Sequence, residues 1–213
     1  MKNELHTRIL SSLFLFPISL YIIIYGSYLF KILIIFLFLI SSYEWFKISL
    51  NKIWSLIGIF YLFFSFFIIY LLRIKEHDGY IFFLLVYFIC VATDTGGYFF
   101  GRLIGGPKLT KISPNKTISG SIGGILLSLT FIYFYLFIIK YFFGILILYD
   151  LNLIFKIILL SISSQVGDII VSYFKRISNN KDTGKIIPGH GGLLDRIDGM
   201  LFAFPLGYFL NIL

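Results

Sequence analysis

Five aspartates define the chemistry open to this chain. Asp94, Asp168, Asp195 and Asp198 lie within or at the ends of strongly apolar runs, and Asp182 sits in a polar stretch between two of them. A carboxylate at membrane depth costs roughly 2.5–3.5 kcal/mol on insertion scales, so four unpaired ones demand a positive charge among them. That charge can be a divalent metal, a Lys or Arg partner, or protons. Separated aspartates without a His or Cys cluster suit magnesium better than zinc, because magnesium takes one or two carboxylates together with phosphate oxygens and water. The alternative is that Asp195 only pairs with Arg196 or a neighbouring lysine as a topological anchor. Asp195 and Asp198, three residues apart, share one helix face, and acids in a first turn also suit the positive helix end.

Two polar stretches offer the complementary charge. In residues 172–198 the cations Lys175, Arg176, Lys181 and Lys185 precede a turn containing Gly189, Gly191 and Gly192. Such a turn lets backbone N–H groups approach an anion closely, which suits a polyphosphate. His190, inside that turn, can donate to a leaving phosphate or simply hold the loop together. The other stretch follows Asp94-Thr-Gly-Gly-Tyr98 and includes Ser113, Lys116, Thr117 and Ser119 just ahead of an apolar run. These donors precede a helix whose free N–H groups favour an anion, although Thr117 or Ser119 can equally be an N-cap. Neither loop matches a Walker A or GxGxxG pattern, so a soluble nucleotide-binding module is not expected.

The elements that must position these groups are membrane helices. Of 213 residues, 59% are hydrophobic and only 13% charged, and the mean hydropathy is +0.95. No segment is polar enough to form a separate soluble module, so an all-α, polytopic integral membrane helical bundle is expected. Apolar runs at 9–25, 29–46, 53–72, 80–100, 118–139 and 153–173 approach the ~20 residues a spanning helix needs. The first lacks a small-x-small cleavage site and reads as a retained helix. The last run, 200–213, reaches spanning length only if its helix starts near Leu194, which makes seven helices. The piece 141–149 is too short to cross and reads as a re-entrant or interfacial loop. With the N-terminus inside, thirteen of the 18 Lys and Arg collect on the cytoplasmic side, which supports that orientation. The net charge of +8 is thereby a membrane-topology feature, and no nucleic-acid partner is implied. We divide the chain into N-terminal transmembrane helices (1–79) and a catalytic transmembrane region (80–213) with cytoplasmic loops at 101–117 and 174–195.

Residues 172–198 resemble the signature of the phosphatidate cytidylyltransferases, or CDP-diacylglycerol synthases: S-x-x-K-R-x-x-x-x-K-D-x-x-x-x-x-P-G-H-G-G-x-x-D-R-x-D, with every fixed position present. Asp94-Thr-Gly-Gly-Tyr98, Ser113-Pro-Asn-Lys-Thr117, Gln165-Val-Gly-Asp168, the early Pro17 and the Glu44-Trp45 pair resemble further family elements in the right order. The resemblance implies an all-helical membrane enzyme, usually a homodimer, which converts CTP and phosphatidate to CDP-diacylglycerol and pyrophosphate; with the orientation above, we expect it in the cell inner (plasma) membrane with its active site facing the cytoplasm. It implies magnesium on Asp168 and Asp195 with Asp198 beside them, a potassium ion next to the magnesium, and Ser172, Lys175 and Arg176 as active-site polar groups. Lys181, Asp182, His190 and Arg196 fall on further fixed positions of the signature. Relatives often carry Trp-Glu where this chain has Ile118-Ser119, and Glu where it has Val171; roles for those acids do not carry over. The chain is also shorter than typical relatives, mainly in its first half.

Two other functions use similar groups. A CTP-dependent kinase of a prenol or diacylglycerol would transfer the γ-phosphoryl instead of the nucleotidyl group. An ion-coupled transporter would also keep intramembrane aspartates, but it needs a polar path to the outer leaflet, and the outer halves of these helices are almost purely apolar.

Overall fold

A computed structural model describes residues 17–74, 79–186 and 191–212, and every regular element among them is a helix. α1 is described over residues 17–25. It is followed by α2 (Ser27–Ile48), α3 (Lys52–Ile74), α4 (Gly79–Ile104), α5 (Ile118–Phe143), α6 (Leu151–Ile177) and α7 (Leu194–Phe209). Helices α2 to α6, of 22 to 27 residues, are long and apolar enough to cross a membrane. The chain is therefore an all-helical, multi-pass membrane protein, as its composition requires. α7 begins at Leu194 as expected but ends at Phe209 after 16 residues, short of the ~20 that span hydrocarbon. α5 runs on to Phe143, so it absorbs the start of the piece read as a loop. It stops where Gly144 takes the left-handed conformation (φ 68°) and its N–H returns to the Lys140 carbonyl at 3.2 Å, a conformation that glycine adopts without steric penalty.

The chain forms two compact units, one of Met1–Tyr80 with Phe174–Asp198, the other of Ile81–Tyr173 with Gly199–Leu213. In the first, α2 turns back into α3 through residues 49–51. Trp45 pins this corner: its indole N–H donates to the Trp54 carbonyl at 3.1 Å and its ring lies 4.7 Å from that of Phe174. A side chain at Gly58 would run into the Trp45 indole, so glycine there makes room for the ring. Arg73, near the end of α3, donates to the Ile23 carbonyl at 2.6 Å and the Ile24 carbonyl at 2.9 Å. It thus supplies donors to the free carbonyls at the end of α1.

In the second unit, the glycines of α4 and α5 allow a close helix crossing. A Cβ on Gly120 would stand 2.6 Å from the Gly97 carbonyl oxygen, and one on Gly124 would stand 2.6 Å from that of Thr93. Small residues let backbones approach in this way where lipid removes the hydrophobic drive between helices. Polar side chains add directional ties to α6. Thr93 of α4 donates to Ser161 at 2.8 Å, and Ser121 of α5 donates to Gln165, whose amide donates back to the Ser121 carbonyl at 3.2 Å. Beyond these, Phe83 and Phe204 meet at 4.6 Å between ring centroids, and Leu85, Val86, Ile89, Ile157 and Leu160 of the same unit are buried.

The crossing gives a contrast to measure. Gly124→Val should destabilise the detergent-solubilised protein by about 1–3 kcal/mol, because the obstacle is backbone. Gly97→Ala, whose Cβ would meet only the Gly120 carbonyl at 3.8 Å, should leave the thermal midpoint near that of the parent. Equal midpoints for the two variants would show that the crossing is not close.

Candidate active site

In the first unit, the end of α6 and the start of α7 bring Lys175 and Asp195 together. The Lys175 ammonium donates to Asp195 Oδ1 at 2.7 Å, and the two side chains are only 11% and 8% exposed. Asp195 Oδ2 accepts the backbone N–H of Thr183 at 2.9 Å and of Gly192 at 3.1 Å. Gly192 lies two residues ahead of α7, so Asp195 ties its helix to the loop that precedes it. Gly191 next to it is in the left-handed region (φ 85°) beside Asp182. The anion that the Gly192 amide holds here is the chain's own carboxylate.

A second carboxylate in the same unit belongs to Glu44 of α2, part of the Glu44-Trp45 pair and absent from the site residues expected from sequence. Its side chain is fully buried. Oε1 accepts the Leu193 N–H at 3.0 Å, while Oε2 accepts the Leu194 N–H at 2.7 Å and the Thr183 hydroxyl at 3.0 Å. The loop wraps this carboxylate tightly. A Cβ on Gly184 would lie 2.5 Å from Oε1, and one on Gly192 would lie 2.8 Å from Oε2. The signal available in sequence was an acid inside an apolar helix with no basic residue within four positions except Lys47; its partners are about 140 to 150 residues away in the chain.

In the second unit, Lys116 and Asp168 form an ion pair, and the Ser172 hydroxyl donates to Asp168 Oδ1 at 3.3 Å, one helical turn along α6. The loop ahead of α5 holds Lys116 in place. Its N–H donates to the Ser113 carbonyl at 3.0 Å, its carbonyl accepts Leu109 N–H at 2.8 Å, and the Ser113 N–H donates to the Thr110 hydroxyl at 3.1 Å. Thr117 is the N-cap of α5, its hydroxyl accepting Gly120 N–H at 3.1 Å. Ser119 is hydrogen-bonded to Thr117 at 3.0 Å and donates to the Gly105 carbonyl. Both hydroxyls therefore serve the turn, while Lys116 points its charge at Asp168.

The remaining residues singled out from sequence divide by exposure. Arg176, Lys181, Asp182, Lys185 and Arg196 are exposed, as is Asp94 on α4, whereas Asp198 is buried and Ser113 half-buried. Arg176 donates a long 3.4 Å bond to the Asn180 carbonyl. His190 and Gly189 lie outside the described residues. Among the described residues no three His, Cys, Asp or Glu side chains gather as a metal cluster. Asp168 in the second unit and Asp195 in the first each offer the oxygen ligands that suit a hard cation. Asp168 accepts two hydrogen bonds and Asp195 three, out of about four acceptor positions on a carboxylate, so each retains oxygen capacity for a ligand.

The buried pair yields a stability test. Lys175→Met or Asp195→Asn alone should destabilise the fold by about 3–5 kcal/mol, since each strands or weakens a buried partner. The double variant should lose less than the sum of the two, as coupling between contacting residues requires. Additive losses in thermal or denaturant unfolding would show that the two groups do not interact.

Comparison with known proteins places this chain in a family. The model of the cytidylyltransferase family matches residues 49–213. A phosphatidate cytidylyltransferase of Staphylococcus haemolyticus is 46% identical over 140 residues, covering 64% of this chain and 50% of that protein. One from Staphylococcus aureus strain COL is 44% identical over 137 residues, again 64% and 50%. One from Brucella melitensis is 39% identical over 163 residues, 73% of this chain and 56% of that protein. The chain thus spans about half the length of the curated relatives it matches. Since the match takes in α3 to α7, with both lysine–aspartate pairs and the 172–198 signature, the chain belongs to the cytidylyltransferase family.

Proposed function

We propose that this chain transfers CMP from CTP to phosphatidate, giving CDP-diacylglycerol and pyrophosphate for phospholipid synthesis. The observation that carries this reading is the complete family signature over residues 172–198, whose Lys175 and Asp195 are joined in the structure. An ionised phosphatidate oxygen attacks the α-phosphorus of CTP in line. A new P–O bond forms as the bond from the α-phosphorus to the bridging oxygen breaks, and that oxygen leaves with pyrophosphate. A phosphate monoester dianion is already nucleophilic, so the step requires no strong base.

The resident cations have defined work in this scheme. Lys116 and Lys175, held by Asp168 and Asp195, are ordered before substrate arrives and offset the negative charge that two phosphorylated substrates bring together. Exposed Arg176, Lys181 and Lys185 draw the triphosphate toward the loop. Asp168 and Asp195 would hold magnesium, which when bound neutralises triphosphate charge. We further propose the N-in orientation, with the loops on the cytoplasmic side of the bacterial inner membrane, a homodimeric assembly, and potassium beside the magnesium. The apolar faces of the helices hold the acyl chains of the lipid substrate near the site.

Asp195→Asn, assayed per amount of folded protein with phosphatidate, CTP and magnesium, should bring CDP-lipid formation near background. In the parent, label at the α-phosphate of CTP should enter lipid and label at the γ-phosphate should appear in pyrophosphate. γ-Label in lipid would establish a kinase instead, and parent-like turnover of Asp195→Asn would remove that carboxylate from the site.

A further inference from the structure

Glu44 and Asp195 grip the same two stretches of chain from different sides. Thr183 gives its hydroxyl to Glu44 and its backbone N–H to Asp195. Gly192 gives its N–H to Asp195, while the next two residues, Leu193 and Leu194, give theirs to Glu44. Glu44 is fully buried, and all three of its partners donate to it. A buried carboxylate without its donors is costly, and a fully satisfied one rigidifies what surrounds it. Trp45 seats the end of α2 against Trp54 and Phe174, so the carboxylate is delivered from a fixed base. The side chain at position 44 also leaves no room for a Cβ at Gly184, and a Cβ at Gly192 would meet the Thr183 hydroxyl that Glu44 holds as well as Glu44 itself.

We propose that Glu44 is a positioning residue for the reaction. By holding Thr183, Leu193 and Leu194 it fixes the two amides that orient Asp195, and through Asp195 it sets the Lys175 ammonium. Groups that orient a ligating carboxylate tune its affinity without touching the ligand, typically by 10- to 100-fold. The part concerning metal and nucleotide rests on the function proposed above; the part concerning the loop does not.

Two variants of the full chain test it. Glu44→Gln keeps the volume and one acceptor oxygen but presents an NH2 donor to a donor. Thr183→Val removes one hydroxyl and preserves the amide to Asp195. Purified protein is followed by hydrogen exchange over residues 191–195 without metal, by thermal midpoint, and by the magnesium concentration giving half-maximal CDP-lipid formation. Glu44→Gln should speed exchange at Leu193 and Leu194 about tenfold and raise the half-saturating magnesium about 10- to 100-fold. Thr183→Val should move both the same way by about three- to tenfold. Faster exchange with unchanged magnesium dependence would make Glu44 a structural acid only and overturn the proposal, as would parent-like values for both. If Glu44→Gln yields no folded protein, Thr183→Val decides by the same criteria. If the parent makes no CDP-lipid, the proposed activity fails, and parent-like exchange in the variants would independently overturn the clamp.

Discussion

A carboxylate in an apolar helix must be given donors, and much of this structure follows from how that demand is met. Asp195 receives an ammonium and two amides, Glu44 two amides and a hydroxyl, and Asp168 an ammonium and a hydroxyl. Each set of donors is drawn from more than one element, so compensation of charge and placement of loops are one process. The end of α6 and the loop ahead of α5 supply side-chain donors, and the start of α7 supplies backbone ones. Beyond these and the few hydroxyl and amide ties between α4, α5 and α6, the helices are largely hydrocarbon.

The chemistry was legible because polar residues are rare here and their types are informative. Lys116, Asp168, Lys175 and Asp195 stand out in a sequence that is 13% charged, and the structure joins them as two ion pairs. The reading left open whether Asp195 faces a metal or a lysine; the structure pairs it with Lys175, twenty positions earlier in sequence. The helices were legible for the same reason, since a run of twenty apolar residues has few other ways to satisfy its backbone. Their ends were less so. The extension of α5 to Phe143 and the stop of α7 at Phe209 depend on capping geometry that hydropathy does not encode.

Glu44 was the least visible of the important residues. A lone acid in an apolar helix announces that it needs partners, but nothing in its neighbourhood names them, because they lie in a loop far along the chain. The glycines posed the related problem. Gly192 reads as a place where a backbone can approach an anion, and it does so, but the anion is Asp195. Gly120 and Gly124, ordinary residues of an apolar run by composition, are shaped by the backbone of α4 opposite them.

Ser161, Gln165, Asp168 and Ser172 lie along α6 at intervals of four, three and four residues, which keeps them on one side of the cylinder. Three of them meet Thr93 of α4, Ser121 of α5 and Lys116 of the loop between those helices, and the fourth joins Asp168. Turning α6 by a single residue would swing this side through roughly 100° and part the inter-helix couples together. Greasy surfaces alone would tolerate such a turn, since lipid does not distinguish one leucine from the next. The spaced polar groups therefore act like the teeth of a key, giving the helix an angular setting as well as a depth.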